Sequence, residues 1–438
     1  MAFFFCFRPK IGNETLSALI LDAFPTFAFM KKRVIIIGGG AAGFFAAIRC
    51  AELNPEAEVT ILEAGREVLS KVRISGGGRC NVTHACFVPK ELSKFYPRGE
   101  RELIGPFHRF CSGDTVDWFE KRGVPTKIEE DGRMFPASNS SQTIVDCLWG
   151  SAQAAGVEVQ MQQRVQQLEP PAEGRPHWLV HTKENSYPAD AVMVASGSSP
   201  AMWKLLAELG HSIVEPVPSL FTFNIKDARI EGLPGLSVPK ATVQVQGSKL
   251  QASGPLLITH WGLSGPAILR LSAWGARELA TRKYQFTLRV NWLSLSLEFV
   301  REELDGLRRE MQKKQLMANT QFGLPTRLWR SLVAGAGISE QLRWAELSNK
   351  GLNKLAEELV NGQYAVNGKS TFKDEFVTAG GVDLREVDFK TFQSKLFPGL
   401  FFAGEVLNID AITGGFNFQA AWTGGWIAGE AIAEPAGR

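Results

Sequence analysis

The chain has 438 residues, of which 45% are hydrophobic and 21% charged, and its formal net charge is +3. This length exceeds a usual single domain, so two or three domains are expected, and so small a charge gives no argument for a nucleic-acid partner. The six cysteines do not form a disulfide framework, and the closest pair, Cys80 and Cys86, matches neither a CxxC motif nor a zinc pair. We therefore expect a cytoplasmic protein without a metal site.

The first 29 residues differ from the rest of the chain in their pattern of apolar and charged residues. Their apolar runs are interrupted by charged residues and a proline, so neither run predicts a membrane span. A basic start and a small-residue cleavage site, which a signal peptide requires, are not evident. Because Met30 stands just before the first predicted strand, residues 1–29 are interpreted as an extension outside the fold.

The first predicted elements form a strand–helix–strand unit. Residues 33–37 predict a buried strand, 41–53 carry apolar residues at helical spacing, and 58–62 predict a second strand. This length suits a right-handed parallel crossover. Further helices are predicted at 114–122 and 141–155, and further strands at 157–161, 177–182 and 191–195.

The pattern changes beyond about residue 200. Alternating polar and apolar residues at 241–246 and 284–290 indicate antiparallel strands, and charge-laced helical patterns follow from 297 to about 360. A buried strand at 397–402 and an apolar helix at 417–433 close the chain. The two ends therefore resemble a nucleotide-binding domain, and the middle resembles an insertion.

Three glycines near the start form the pattern G-x-G-x-x-G between a strand and a helix. Gly38 permits the tight turn, Gly40 lets a diphosphate approach the backbone, and Gly43 packs helix against strand. Glu63 ends the second strand, where a carboxylate accepts hydrogen bonds from ribose hydroxyls. A dinucleotide without a 2′-phosphate is predicted here, which disfavours NADP at this site.

Two later glycine clusters decide between NAD and FAD. RISGGGRCN at 73–81 suits a backbone loop against a large flat ring or a phosphate. Near the end, a strand runs into Gly404-Glu405, and Gly414-Gly415 precede a helix whose N-terminus could face an electron-rich flavin edge. A distant C-terminal segment that returns to complete the nucleotide site favours FAD.

The chain resembles bacterial FAD-dependent oxidoreductases of the aminoacetone-oxidase-like and BaiN-like type. The matching stretches are IIIGGGAAG, ISGGGRCNVTH, GRMFPASNSSQTIVDCL, LLITHWGLSGPAIL, VTAGGVDLREVDFKTFQSK and PGLFFAGEVLNIDAITGGFNFQAAW. The resemblance implies an α/β fold, in which a Rossmann-like FAD-binding domain of the two-dinucleotide-binding type is interrupted by a β-rich domain and a small helical domain. The expected order is FAD-binding domain 30–200, β-rich domain 201–295, helical insertion 296–350, β-rich domain 351–372 and FAD-binding domain 373–438.

The same resemblance implies a set of cofactor contacts. Those expected at the adenosine diphosphate are Gly38, Gly40, Ala42, Gly43, Glu63 and Ala64, with Val165 as a weaker candidate beside the adenine. Those expected nearer the flavin are Gly78, Arg79, Cys80, Asn81, Gly404, Glu405, Asp410, Gly415, Phe416 and Asn417. The chain departs from the family at 196–211, where relatives usually carry a longer glycine-rich loop.

A flavin transfers hydride or electrons itself, so no side chain must be a catalytic acid or base. His260, set among apolar residues, is interpreted as a core histidine bonded to backbone, with proton donation as the alternative. Arg133 could pair with an acidic substrate or lie on a surface loop, and Cys80 is interpreted as packing near the flavin.

The expected activity is FAD-dependent oxidoreduction of a small molecule, with an NAD(P)H-linked reductase favoured. NADH or NADPH would enter transiently, because Gly335-Ala336-Gly337 follows no strand and is a weak second nucleotide motif. An oxygen-dependent amine oxidase stays open. Two other classes are a nucleic-acid-linked flavoprotein, which would use the basic stretches at 308–314 and 326–330, and a flavin sensor without turnover. No nucleic-acid or membrane partner is expected.

Overall fold

The computed structural model describes residues 31–370 and 377–434. The interpretation of residues 1–29 therefore lies outside the described residues. None of the helices in these two ranges is long and apolar enough to cross a membrane.

Strands and short helices alternate through the first half of the chain. In chain order the elements are β1 (Arg33–Ile37), α1 (Ala41–Leu53), β2 (Glu58–Leu62), α2 (Ser70–Gly78), β3 (Thr83–His84), α3 (Pro89–Ser93), α4 (Glu100–Arg109), α5 (Ser112–Glu120), β4 (Thr126–Ile128), β5 (Arg133–Pro136), α6 (Ser141–Ala154), β6 (Glu158–Gln160), β7 (Gln167–Glu169), β8 (Trp178–His181), β9 (Ser186–Ala189) and β10 (Ala191–Val194).

The second half contains the longer strands and helices. Its elements are α7 (Pro200–Glu208), β11 (Ile213–Ser219), β12 (Thr222–Asn224), β13 (Ser237–Val245), β14 (Gln251–Ile258), β15 (Gly262–Ser264), α8 (Pro266–Trp274), α9 (Ala276–Thr281), β16 (Gln285–Asn291), α10 (Leu297–Glu310), α11 (Thr326–Gly335), α12 (Asn349–Asn361), β17 (Gly362–Asn367), β18 (Lys369–Ser370), β19 (Val377–Val382), β20 (Val387–Asp388), β21 (Gln393–Ser394), β22 (Leu400–Phe402) and α13 (Phe416–Ala433).

The first core surrounds a mostly parallel sheet of order β20-β21-β22-β10-β1-β2-β6. Its central strands β1 and β10 are almost continuously apolar because both of their faces are covered. Strand β22 comes from the far end of the chain and pairs in parallel with β10, with Val192 opposite Leu400. The returning C-terminal segment therefore completes the sheet that the first strands begin, which confirms the predicted fold class.

Helix α13 packs directly against α1 on the same sheet. A Cβ atom at Gly425 would lie 2.6 Å from the carbonyl oxygen of Ala42, and one at Gly429 would lie 2.7 Å from that of Ala46. Two glycines one helical turn apart thus let the backbones of the two helices meet. This contact fixes the C-terminal helix against the helix that follows the first glycine motif.

A second core lies under an antiparallel sheet of order β17-β16-β13-β14-β15-β12-β18. Helices α8, α10, α11 and α12 contribute buried apolar residues to it. The antiparallel strands predicted at 241–246 and 284–290 are confirmed as parts of β13 and β16. A separate pair, β11 with β19, connects the segments that leave and re-enter the first core.

Two helices extend across the expected domain boundaries at residues 200 and 350. Helix α7 buries Met202, Trp203 and Leu206 in the first core, so that core continues past residue 200. Helix α12 runs to Asn361, so the helical segment continues past residue 350. The contacts of α7 are long-range and leave no mark in local composition, whereas the end of α12 agrees with the helical pattern that the sequence shows to about residue 360.

Candidate functional site

The first glycine turn joins β1 to α1. Gly38 has a φ of +113°, and a Cβ there would lie 2.5 Å from the carbonyl oxygen of Ala195. A Cβ at Gly43 would lie 2.0 Å from the carbonyl oxygen of Gly38, whereas a Cβ at Gly40 would meet no atom within 4 Å. Two glycines are therefore required by the protein's own packing, and Gly40 faces open space at the N-terminus of α1, where backbone N–H groups attract a diphosphate.

The carboxylate of Glu63 lies beside this turn at the end of β2. One of its oxygens accepts from the backbone N–H of Gly39 at 2.8 Å, and the other accepts from that of Gly65 at 2.6 Å. Each carboxylate oxygen has two acceptor sites, so one remains on each for a ligand hydroxyl. The half-buried Glu63 side chain is thus held in one orientation before any ligand binds.

Two weaker candidates flank Glu63. Ala64 is exposed, and Val165 is buried at 8% exposure. The backbone N–H of Gln163 donates to the carbonyl oxygen of Glu63 at 2.8 Å, which places the segment that carries Val165 alongside the end of β2. The structure therefore brings these residues to the same edge of the parallel sheet.

The glycine loop at the C-terminal end of α2 departs from helical geometry and has left-handed backbone. Gly76, Gly77 and Gly78 have φ values of +58°, +68° and +83° and are exposed. Cys80 also has a positive φ of +58° but is fully buried, and burial raises the pKa of its thiol to about 12. The side chain of Arg79 donates to Glu129 at 2.6 Å, so this loop presents mainly backbone to a ligand.

Asn81 connects this loop to the N-terminus of α13. In the orientation that satisfies its neighbours, its amide nitrogen donates to the carbonyl oxygens of Thr83 and Met134, and its amide oxygen accepts from Gly415 N–H at 3.0 Å. Gly415 has a φ of +89°, and a Cβ there would lie 2.6 Å from the carbonyl oxygen of Thr83. Two segments more than 300 residues apart in sequence thus form one surface.

The side chains after Gly415 support this surface from behind. Phe416 is 2% exposed, and its ring stacks on Phe95 at 4.3 Å and on His84 at 4.6 Å. The Asn417 amide accepts from Ala411 N–H at 3.0 Å and donates to the Ala411 carbonyl oxygen at 3.3 Å. Both side chains are engaged within the protein, so any ligand contact from these two residues comes mainly from backbone.

Glu405 lies where β22 ends, next to Gly404, whose φ is +76°. Its carboxylate accepts from Lys71 Nζ at 2.5 Å and is 16% exposed. A Cβ at Gly197 would lie 3.9 Å from Glu405 Oε2. Lys71 was not predicted, because nothing local in the sequence relates it to a carboxylate 334 positions away.

Asp410 is placed differently from the cofactor contact that we expected. It is fully buried and forms a two-point ion pair with Arg98, and it accepts from Ser219 Oγ at 2.8 Å. Arg98 also donates to the carbonyl oxygen of Ala273 at 2.7 Å. The Asp410 side chain therefore has no free surface for a ligand and instead links the segment before α13 to Arg98 and to the end of β11.

The site has the features that FAD requires. The hydroxyl of Ser196, beside Gly38, is buried and has no hydrogen-bond partner among the described residues. Together with the open space at Gly40 and the pre-oriented Glu63, this unpaired group fits a diphosphate and a ribose. The exposed left-handed backbone at 76–78 and the helix N-terminus at Gly415 fit a flat, electron-rich ring.

A model of one protein family, described as HI0933-like protein Rossmann domain, matches residues 32–431. The chain belongs to this HI0933-like family. A relative from Haemophilus influenzae named ribosomal RNA dihydrouridine synthase is 26% identical over 409 residues, covering 91% of this chain and 98% of the relative. A relative from Clostridium scindens named 3-dehydro-bile acid delta(4,6)-reductase is 27% identical over 417 residues, covering 92% and 99%.

Among solved structures, 3-ketosteroid-Δ4-(5α)-dehydrogenase from Rhodococcus jostii RHA1 is 15% identical, with a TM-score of 0.49 over 94% of this chain and 99% of that one. Membership of the HI0933-like family, together with the dinucleotide geometry above, makes the chain an FAD-dependent oxidoreductase.

The two side chains named for chemistry lie elsewhere in this HI0933-like chain. The expectation of a core position for His260 is wrong, because His260 is exposed in the turn between β14 and β15. Thr259 Oγ1 accepts from the backbone N–H groups of Trp261 and Gly262 and so closes that turn with His260 outward. Arg133 lies on a strand and not on a loop, and it pairs with Asp131 at 2.7 Å and with Glu129 at 3.1 Å.

Proposed function

We propose that FAD binds across two glycine-rich parts of the site, the turn at Gly38–Gly43 and the surface that Asn81 and Gly415 form. Its diphosphate would meet the N-terminus of α1 at Gly40, and its ribose hydroxyls would donate to Glu63. Its ring would lie against the backbone of 78–81 and the N-terminus of α13 at Gly415. The remaining free acceptor sites of Glu63 and the open space at Gly40 support this placement.

We further propose that the chain is an NAD(P)H-linked reductase. FAD, when bound, supplies hydride transfer between a nicotinamide and an unsaturated substrate. The three residues of the weak second motif, Gly335 to Gly337, lie at the end of α11 and follow no strand, so a nicotinamide donor would bind transiently in the substrate cleft. In this scheme the chain's residues hold and orient the ring, and the α13 N-terminus stabilises negative charge at the ring's polar edge.

The substrate class that we propose is a small molecule with a carbon–carbon double bond conjugated to a carbonyl group. The observation that carries this proposal is the pairing of one dinucleotide site with a relative, similar over 92% of this chain, that is named a delta(4,6)-reductase. The oxygen-dependent amine oxidase is the alternative for the same flavin site.

Anaerobic mixing of the FAD-loaded protein with NADH or NADPH tests this proposal. We expect the flavin absorbance near its visible maximum to bleach rapidly with one of the two donors and to return when a conjugated enone is added. If neither donor bleaches the flavin, while an amine panel does so and peroxide appears on exposure to air, the oxidase is correct and the reductase is not.

A second candidate is reduction of a uridine base in ribosomal RNA, because two relatives carry the name ribosomal RNA dihydrouridine synthase. Arg289, Lys350 and Lys354 line a cleft of roughly 1030 Å³ beside the second core, together with Glu357 and Glu358. Such cations are the chemistry that phosphate backbones bind.

The two substrates are distinguished by direct assay. Stripped ribosomal RNA, incubated with the FAD-loaded protein and NADPH, is digested and its dihydrouridine measured by mass spectrometry. Dihydrouridine formation that Lys354→Glu weakens and added salt suppresses supports the RNA substrate. Turnover of an enone without RNA modification supports the small-molecule substrate.

A further inference from the structure

A buried polar network lies beneath the N-terminus of α13. The side-chain oxygen of Gln419 accepts from Thr83 Oγ1 at 2.6 Å and from Thr115 Oγ1 at 2.9 Å. Its amide nitrogen donates to Thr423 Oγ1 at 3.1 Å, and Thr423 in turn donates to the carbonyl oxygen of Phe110 at 2.9 Å. All four of these side chains are fully buried.

Besides the stacking of Phe416 on His84, this network is one of three hydrogen-bonded contacts among the described residues that attach α13 to β3 and the residues just before it. The other two are Asn81 with Gly415 N–H at 3.0 Å and the indole N–H of Trp422, which donates to the Val82 carbonyl oxygen at 2.9 Å. We name these three contacts the β3–α13 clasp. Because β3 directly follows the exposed glycine loop, the clasp sets the distance between that loop and the helix N-terminus.

A buried amide is unusual in an interior that apolar side chains could fill, because it must find a partner for each of its polar atoms. Hydrogen bonds are directional, whereas apolar contacts between a helix and a strand permit small sliding movements. The side chain of Gln419 forms hydrogen bonds with Thr83 in β3, with Thr115 in α5 and with Thr423 in its own helix. Its backbone N–H donates to the Gly415 carbonyl oxygen at 3.0 Å. It therefore holds the first turn of α13 in one position.

We propose that Gln419 is a positioning residue for the flavin ring. It touches no ligand itself, and it acts by fixing the N–H groups at the start of α13 relative to the loop at 76–81. The inference rests on the proposed placement of the ring and is independent of the electron donor. If the helix N-terminus shifts, FAD binds more weakly, and the reduced ring loses part of the stabilisation that the positive end of the helix provides.

The test compares Gln419→Met with a control variant that should lose a similar amount of folding stability. Methionine has about the same volume and removes every polar contact of the side chain. The control, Tyr364→Phe, leaves the buried indole N–H of Trp292 without its partner at 3.1 Å in the second core. Both variants should unfold at a lower temperature, since each leaves buried polar groups unpaired.

We expect Gln419→Met to raise the Kd for FAD about tenfold, which corresponds to about 1.4 kcal/mol, because FAD binding must then also order the helix N-terminus that Gln419 holds in the wild type. The midpoint potential of the bound FAD should become more negative. Tyr364→Phe should leave both quantities at wild-type values. If Gln419→Met does not fold, Thr115→Val, which removes one donor to Gln419, should produce smaller shifts in the same directions.

A lowered unfolding temperature with unchanged Kd and midpoint potential in Gln419→Met, or in Thr115→Val, would overturn the positioning role. Gly415→Ala separates that result from an error in the ring placement, because alanine is strained at a φ of +89° and would move the ring-facing backbone directly. If Gly415→Ala changes the flavin and Gln419→Met does not, only the role of Gln419 is wrong. If neither changes it, the ring lies elsewhere.

Discussion

Two glycine regions lie beside the first core, the turn at Gly38–Gly43 and the surface at Asn81 and Gly415. They differ in which parts of the chain form them. The turn that contains Gly38 and Gly43 is closed by neighbours within one strand–helix–strand unit, together with the strand end at Ala195. The surface at Asn81 and Gly415 requires two segments more than 300 residues apart. The first region depends on local sterics, and the second depends on the tertiary fold, so changes in the two regions should have different consequences.

Gly40→Val should have the largest effect on cofactor binding. A Cβ at Gly40 meets nothing within 4 Å, so the variant should fold, but its side chain fills the space that the diphosphate would occupy. We expect complete loss of FAD from the purified protein, with the circular dichroism spectrum unchanged.

Gly43→Val is the matched comparison for Gly40→Val. Its Cβ would lie 2.0 Å from the carbonyl oxygen of Gly38, so the turn itself must shift and the unfolding temperature must fall. Retention of stoichiometric FAD by Gly40→Val would remove the basis for assigning the diphosphate to this turn.

Asp410→Asn should have the largest effect on stability. It leaves the guanidinium of Arg98, only 12% exposed, without its charged partner, at a cost of about 3–5 kcal/mol in the free energy of unfolding. Urea denaturation followed by tryptophan fluorescence measures this loss. Because Arg98 also donates to the carbonyl oxygen of Ala273 in α8, an unchanged free energy of unfolding would show that the packing of α8 against the segment before α13 does not depend on this ion pair.

Glu63→Gln should weaken FAD binding without preventing folding. The amide keeps one acceptor for the N–H of Gly39 or Gly65 but loses the charge that strengthens hydrogen bonds from ribose hydroxyls. We expect the Kd for FAD to rise roughly tenfold or more, as the loss of about 1.5–3 kcal/mol of charge-assisted bonding implies. Isothermal titration of the apo-protein measures it, and an unchanged Kd would exclude the ribose contact.

Cys80 should show the smallest effect. Burial raises the pKa of its thiol to about 12, so at pH 8 it remains protonated and unreactive. We expect iodoacetamide to modify Cys80 only after unfolding, as peptide mass spectrometry would show, and Cys80→Ala to retain FAD. Rapid alkylation of the native protein at Cys80 would indicate a reactive thiol and would support thiol chemistry at this site.

The sequence predicted most of what local geometry determines. Helix α1 and strands β1 and β2 follow from spacing within one unit, and the structure gives α1 the predicted bounds of 41–53. The alternation of polar and apolar residues likewise predicted the antiparallel strands β13 and β16 beside the second core.

Local sequence patterns did not predict the contacts between segments that are distant in the chain. The ion pairs of Lys71 with Glu405 and of Arg98 with Asp410 depend on which segments the fold brings together. His260 was misplaced because its apolar neighbours suggested a core position, whereas the tight turn at Thr259 directs it outward. A single sequence without its fold contains no local signal for these arrangements.

In the proposed complex, FAD lies with its diphosphate at the turn of Gly38 to Gly43 and its ring at the surface that Asn81 and Gly415 form. A crystal structure of the FAD complex tests this most directly. We predict diphosphate oxygens within hydrogen-bonding distance of the N–H groups that begin α1, and the isoalloxazine ring between residues 78–81 and the first turn of α13. Density for the ring on any other surface of the chain would contradict this placement of FAD.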